Sequence, residues 1–318
     1  MPELYSAPAQ ESPYPGTALP TMPMRNAARV ARLIDTMHMG IESSIGAWEA
    51  DGLIVDPGPA VTIPRVLEQL GPDFEPRAIL LTHIHLDHAG GTGTLLARFP
   101  GTPVYVHEVG ARHVIDPSRL WNSAIRIYGE ERMLELWGET LPVPEEVVTT
   151  LSGGERVEGM DVIHAPGHAE HHVVYLDDDG SAFCGDVAGV RTPPGELTVM
   201  PTPPPEIDVE AWLRSLETLA ERRPERVRMT HCGEVAPALE QLETAAASLR
   251  LTAGWAAEGD REAFAARLDE LIDSQPAVAA QRMRNAMPTD HVWLGLERYW
   301  RKRREAEAEA AAEVPDAG

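Results

Sequence analysis

The chain has 318 residues, 43% hydrophobic and 24% charged, an ordinary balance for a globular protein with room for one large domain or for one domain with an appended piece. Its 27 basic and 50 acidic residues leave a net charge of −23, a surface that repels phosphate backbones and argues against nucleic acid as a partner. Two cysteines, Cys184 and Cys232, cannot make a disulfide framework, and no apolar run approaches the roughly 18–20 residues that cross a bilayer, so no membrane partner is expected.

Residues 1–24 carry six prolines with neither a basic n-region nor an apolar h-region. They are expected to form a flexible arm, and the chain is expected to stay in the cytoplasm. Residues 27–34 and 45–55 read as strands, the second ending in Asp56-Pro57-Gly58-Pro59. Residues 66–70 read as the end of a helix stopped by Gly71 and Pro72. Four short apolar runs follow at 78–81, 162–165, 182–184 and 227–229, each of the length of a buried strand. Each leads within three residues to a histidine or aspartate, and that is the organising fact of the sequence.

Between the first two runs, residues 104–106 read as a strand and 118–137 as a helix carrying Trp121, Ile125, Tyr128, Leu134 and Trp137. Trp212, Leu213, Leu216 and Leu219 have amphipathic helical spacing over 209–221, with Asp208 placed to cap it. Beyond His231 the composition turns to Ala, Glu, Leu and Arg, which predicts helices at 236–257, 262–274 and 292–304 and a fraying end over 305–318.

The segment Thr82-His83-Ile84-His85-Leu86-Asp87-His88-Ala89-Gly90-Gly91 puts four potential metal ligands into six positions directly after an apolar strand. A lone histidine is most often a surface or satisfied core side chain. Grouping this much ionisable chemistry without an ion is costly. His83 and His85 are two apart and project to one side, whereas Asp87 and His88 converge only if the chain turns. Imidazoles with carboxylates suit zinc and accept iron or manganese. Pro166-Gly167-His168, Gly185-Asp186 and Thr230-His231 close the other three runs.

Thr-His-x-His-x-Asp-His-x-Gly-Gly, then Pro-Gly-His, Gly-Asp and a late His, resembles the metallo-β-lactamase superfamily in order and spacing over about residues 27–235. The resemblance implies an α/β fold, a four-layer αββα sandwich with its site at one edge. Residues 25–235 would form the catalytic domain and 236–318 a C-terminal helical extension. It also implies a ligand partition: His83, His85 and His168 for one ion, Asp87, His88 and His231 for the other, and Asp186 bridging. Two Zn2+ per chain are the expected cofactors, with Mn2+ or Fe acceptable. Two such cations share a hydroxide that attacks an ester, thioester or lactone, and Asp87 is the candidate catalytic proton shuttle. Asp56 matches an aspartate that supports the metal loops in this family.

The remaining candidates carry alternatives. His171 and His172 read either as contacts near the site or as a partly exposed loop pair, and His164 as a core or supporting residue. Cys184 reads as a small buried residue, because Asp186 fills the position some relatives give to cysteine. Trp121, Ile125, Tyr128, Trp137 and Pro203-Pro204-Pro205 are candidates for a pocket mouth, with core packing the more economical role for the tryptophans. His38, His107, His113 and His291 are assigned nothing. A small-molecule substrate is expected, and the helices of 209–304 are placed to cover its pocket or to join a homodimer. The tyrosine that acyl-homoserine-lactone lactonases place after the bridging aspartate is absent, and the basic substrate-binding positions of glyoxalase II are not evident. The rival readings are a phosphodiesterase, a persulfide dioxygenase-like enzyme with one iron, and a ligand-binding module without turnover.

Overall fold

In the computed structural model the described residues are 29–312, so the expected arm lies outside them, as do 313–318. The first sheet carries β1 (Ala31–Asp35), β2 (Gly46–Ala50), β3 (Leu53–Val55), β4 (Ala78–Leu80), β5 (Val104–His107) and β6 (Val148–Leu151) in that order. The pairs from β3 to β6 are parallel, and β1–β2–β3 is an antiparallel meander. The second half adds β7 (Arg156–Val157), β8 (Met160–His164), β9 (Val173–Leu176), β10 (Ser181–Gly185), the ribbon β11 (Val190–Arg191) and β12 (Thr198–Val199), then β13 (Arg226–Met229) and β14 (Gly233–Val235). The second sheet runs β14-β13-β10-β9-β8-β7.

Side-chain alternation explains why the predicted strands are continuous apolar runs. Ala78 and Leu80 of β4 pack between the sheets with Trp48, Met160, Val162, Tyr175 and Phe183. Ile79 and Leu81 point the other way, into a core shared with the helices on the outer face of the first sheet. Those helices include α1 (Ile63–Leu70), α2 (Leu86–Ala89), α3 (Thr92–Arg98) and α4 (Glu108–Ile115), with α5 (Ser118–Tyr128) and α6 (Glu130–Trp137) beyond. On the second sheet Ala182 and Cys184 face outward, into a core with α7 (Val209–Glu221), α8 (Ala238–Ala257), α9 (Arg261–Asp273), α10 (Ala277–Ala286) and α11 (Thr289–Ala312). The layers are therefore αββα, and the C-terminal helices share one apolar core with the second sheet. Among the described residues no helix is long and apolar enough to cross a membrane.

Several element boundaries depart from expectation. Residues 45–55 form a hairpin, because Asp51 (φ 53) and Gly52 (φ 81) adopt the paired left-handed turn that Asp-Gly favours. The helix expected over 118–137 is two, divided at Gly129. α10, with four Ala and two Arg among its ten residues, has too sparse an apolar stripe to be read from sequence. α11 begins at Thr289 and continues through 305–312, where the composition predicts fraying, with the pair Arg303–Glu307 along it. Asp208 does cap α7, accepting from the Ala211 N–H at 2.8 Å.

The site lies where β3, β4, β8, β10 and β13 run out into loops, and the sheets are pinned together there. Thr82 O accepts from Val173 N (2.8 Å), Leu81 O from the Tyr175 hydroxyl (2.9 Å), and Thr230 O from Gly46 N (2.9 Å). Gly167, with φ +135, seats its loop against α7: a Cβ there would fall 2.3 Å from both Cα and Cβ of Trp212. Gly167→Ala is expected to cost about 1–3 kcal/mol, read as a lowered urea midpoint. An unchanged midpoint would show that the loop yields and that this close approach does not fix His168.

Candidate metal centre

β4 delivers Thr82 and His83 into the cleft, and His83 and His85 meet at right angles, His83 Nε2 lying 3.0 Å from His85 Nδ1. His168 reaches the same point from the β8 end, its Nε2 2.8 Å from His85 Nδ1. The short α2 turns the chain at once, as adjacent ligands require, and brings Asp87 and His88 to face His231 from the β13 end. His231 Nε2 lies 3.2 Å from Asp87 Oδ2. Asp186 stands between the two groups. Its Oδ2 is 3.3 Å from His168 Nε2 and 3.9 Å from His83 Nε2; its Oδ1 is 3.2 Å from His88 Nε2 and 3.6 Å from His231 Nε2. A bulge in the β10–β13 pairing at Cys184 precedes this aspartate and redirects the chain there.

All seven sequence-predicted residues are thus brought together in two sets: His83, His85, His168 and Asp186, and Asp87, His88 and His231. The backs of four imidazoles are anchored, so each presents Nε2 inward. His83 Nδ1 meets Thr82 Oγ1 (3.1 Å), His88 Nδ1 meets Asp56 (2.8 Å), His168 Nδ1 donates to Pro201 O (2.8 Å) and His231 Nδ1 to Ser44 O (2.7 Å). That outward anchoring is what fixes the ring of a metal-binding histidine. His88 Nε2 and Asp186 Oδ1 are buried and close, yet are not aligned to hydrogen-bond each other, an arrangement that suits a cation between them. The donor set fits divalent metals.

Asp56 also lies within reach of His83 and His88, but both its oxygens are engaged. Oδ1 accepts from Thr82 N (2.8 Å), and Oδ2 from the hydroxyls of Thr82 (2.7 Å) and Thr230 (3.1 Å) and from His88 Nδ1. These bonds suit Asp56 to orienting the candidate ligands around it.

The electrostatics of the two sets differ in direction. Burial, reinforced by the neighbouring imidazoles, holds His83 far below the usual histidine value and His85 down to about 3. Burial lowers His168 as well. For His88 and His231 burial also works downward, but the Asp186 and Asp87 carboxylates outweigh it and raise both. Burial by itself would raise Asp87 and Asp186, and the facing imidazoles, His88 foremost, hold both below the carboxylate range. The two sets are thus pushed in opposite directions, the first toward neutral imidazoles and the second toward charged ones.

His171 and His172 are both buried, which removes the exposed-loop reading. His172 Nε2 accepts from Asp186 N (3.3 Å), and His171 Nε2 approaches Glu206 at 3.6 Å. His164 stacks on His107 (4.5 Å) and bonds Glu170 O, away from the ligand sets. Cys184 is buried, its thiol pushed up by desolvation, and it joins neither set. Beside the centre a cavity of about 170 Å³ is lined by His85, Asp87, Asp186, Trp137, Pro203–Pro205 and His291, among others. Trp137 therefore forms wall, not core as the sequence favoured, while Trp121 and Ile125 are not among its lining residues. His38, unassigned from sequence, stacks on Trp137 (5.2 Å, 7°) and donates to Leu136 O (2.6 Å). No motif surrounds it that could have disclosed this.

A family model described as metallo-beta-lactamase superfamily matches residues 49–231. A metallo-beta-lactamase fold-containing protein of Sulfurisphaera tokodaii is 31% identical over 166 residues, 50% of this chain and 61% of that one. A hydroxyacylglutathione hydrolase of Xylella fastidiosa is 37% identical over 141 residues, 44% of this chain and 42% of that one. The aligned stretch thus spans less than two thirds of either relative. The crystal structure of an archaeal metallo-beta-lactamase superfamily protein from Sulfolobus tokodaii superposes with a TM-score of 0.62 at 22% identity, covering 85% of this chain and 99% of that one. A metallo-beta-lactamase family protein from Thermus thermophilus superposes at 0.57 and 19% identity over 86% and 94%.

Asp56→Asn replaces an oxygen that accepts from Thr82, Thr230 and His88 with an amide that donates. Metal affinity is expected to fall about 10–100-fold with the fold retained. Competition with a chromophoric chelator measures it, and wild-type affinity in the variant would show that Asp56 does not orient the ligands.

Proposed function

The chain belongs to the metallo-beta-lactamase superfamily, and from that membership and its site we propose that it is a metal-dependent hydrolase of small-molecule esters, thioesters or lactones. One observation carries the reading: Asp186 turns one oxygen toward His83 and His168 and the other toward His88 and His231. This favours two ions per chain over one, and the nitrogen-rich ligand set favours zinc. Bound in pairs, such ions lower the pKa of water toward about 7 and polarise a carbonyl oxygen.

The chain's own residues do the rest. His83, His85 and His168 would hold one ion, Asp87, His88 and His231 the other, with Asp186 shared. Asp87 and Asp186 both border the cavity, but Asp87 keeps 21% side-chain exposure against 4% for Asp186, so Asp87 is the one placed to take a proton from the nucleophile and pass it to the leaving group. The net charge of −23 favours a small molecule over a nucleic acid as substrate, and two free buried cysteines suit a reducing compartment such as the cytoplasm. The name of the Xylella relative, a hydroxyacylglutathione hydrolase, supports the reaction class.

Metal quantification on purified protein is expected to give two zinc ions per chain. Turnover on a panel of esters, thioesters and lactones is expected to vanish with chelator and return with zinc. One iron per chain with oxygen uptake would overturn the reading in favour of redox chemistry. Asp87→Asn is expected to lower kcat by about 10²–10⁴-fold. Full activity with both ions bound would remove its proton-transfer role.

A further inference from the structure

Next to Asp87 and Asp186 the cavity walls are apolar: Leu120 and Ala124 from α5, Trp137 from α6, Met287 from the link between α10 and α11, and Val292 from α11. The proline loop supplies the remaining side, held by Thr202, whose hydroxyl donates to Val292 O at 2.7 Å. Among the described residues lining the cavity there is no Lys or Arg. Its titratable groups are His85, Asp87 and Asp186 of the centre and His291 on α11. Arg298, which donates to Pro205 O at 3.4 Å, is not a lining residue. Met287, His291 and Val292 lie beyond residues 49–231, so part of this wall is built outside the stretch that matches the family.

We infer that the cavity receives the acyl part of the substrate, and that this part is neutral and apolar, of about six carbons. The inference rests on the hydrolase reading of the same site. A volume of about 170 Å³ compares with the roughly 150 Å³ that holds a benzene-sized group. An alkyl or phenyl acyl group gains by burial against these walls. A carboxylate at the far end of the acyl chain would lose its water and meet no cation, and the two carboxylates of a glutathione leaving group find none on these walls either. The specificity is thus for acyl esters, thioesters or lactones with an uncharged hydrocarbon chain.

The test uses the metal-loaded full chain with thioesters of one neutral thiol, N-acetylcysteamine, carrying acetyl, butyryl, hexanoyl or ω-carboxylated adipoyl groups, and with S-lactoylglutathione beside them. kcat/KM is expected to rise at least tenfold from acetyl to hexanoyl, within a ceiling of about fourfold per methylene. Adipoyl is expected at least 100-fold below hexanoyl, and S-lactoylglutathione below it as well. Chelator-sensitive turnover with adipoyl or glutathione preferred would overturn the inference and leave the hydrolase reading intact. No chelator-sensitive turnover of any member would remove both. Ser123, exposed at the cavity, gives a second arm: Ser123→Arg is expected to narrow the hexanoyl-to-adipoyl ratio at least tenfold. A ratio unmoved in a folded, metal-loaded variant would show that the acyl chain lies elsewhere.

Discussion

Asp56 is fully buried, sits where β3 ends, and accepts from the Thr82 backbone and hydroxyl, the Thr230 hydroxyl and His88 Nδ1. These donors come from the ends of β4 and β13 and from α2, so one carboxylate ties a strand of the second sheet to two of the first. Burying an unpaired carboxylate would cost several kcal/mol, and four donors, at about 1.5–3 kcal/mol each for bonds to a charged group, offset that cost. The loops carrying His83, His88 and His231 are referenced to that one atom group. Displacing it is expected to move candidate ligands of both sets together, because His83, His88 and His231 follow the strand ends and helix it joins.

Around this support the centre holds a charge problem. Five imidazoles and two carboxylates crowd into one largely buried volume: burial pulls His83, His85 and His168 below the usual histidine value, while the Asp186 and Asp87 carboxylates pull His88 and His231 above it. The anchored Nδ1 atoms of His88, His168 and His231 aim the rings inward.

How much of this was legible follows from what each feature demands of the residues. The seven ligand candidates were readable because coordination accepts few side-chain types and because each follows an apolar strand that ends at the same edge. Asp56 was readable from its place in the early Asp-Pro-Gly turn. The sandwich was readable because strands buried on both faces give unbroken apolar runs. The Asp51-Gly52 hairpin turn was present in the sequence but masked by the apolar residues on either side of it. α10 lacked an apolar stripe, and the placement of His38 against Trp137 depends on a tertiary contact between distant positions that no local pattern records.

That contrast separates the centre from its cavity. A ligand has to present one atom type at one distance, so substitutions are few and the motif persists. A hydrocarbon wall has to present only area at van der Waals range, and Leu, Met, Val, Trp or Pro all supply it. The wall can therefore be assembled from α5, α6 and the C-terminal helices without a signature. α9, α10 and α11 reach the second sheet through one continuous apolar core, so the same packing that stabilises them sets the position of Met287 and Val292 beside the ions' place. On the acyl-pocket inference, stability and substrate selection draw on one set of contacts, and core changes far from the candidate ligands, at Phe264 or Met283 for example, are expected to act on both.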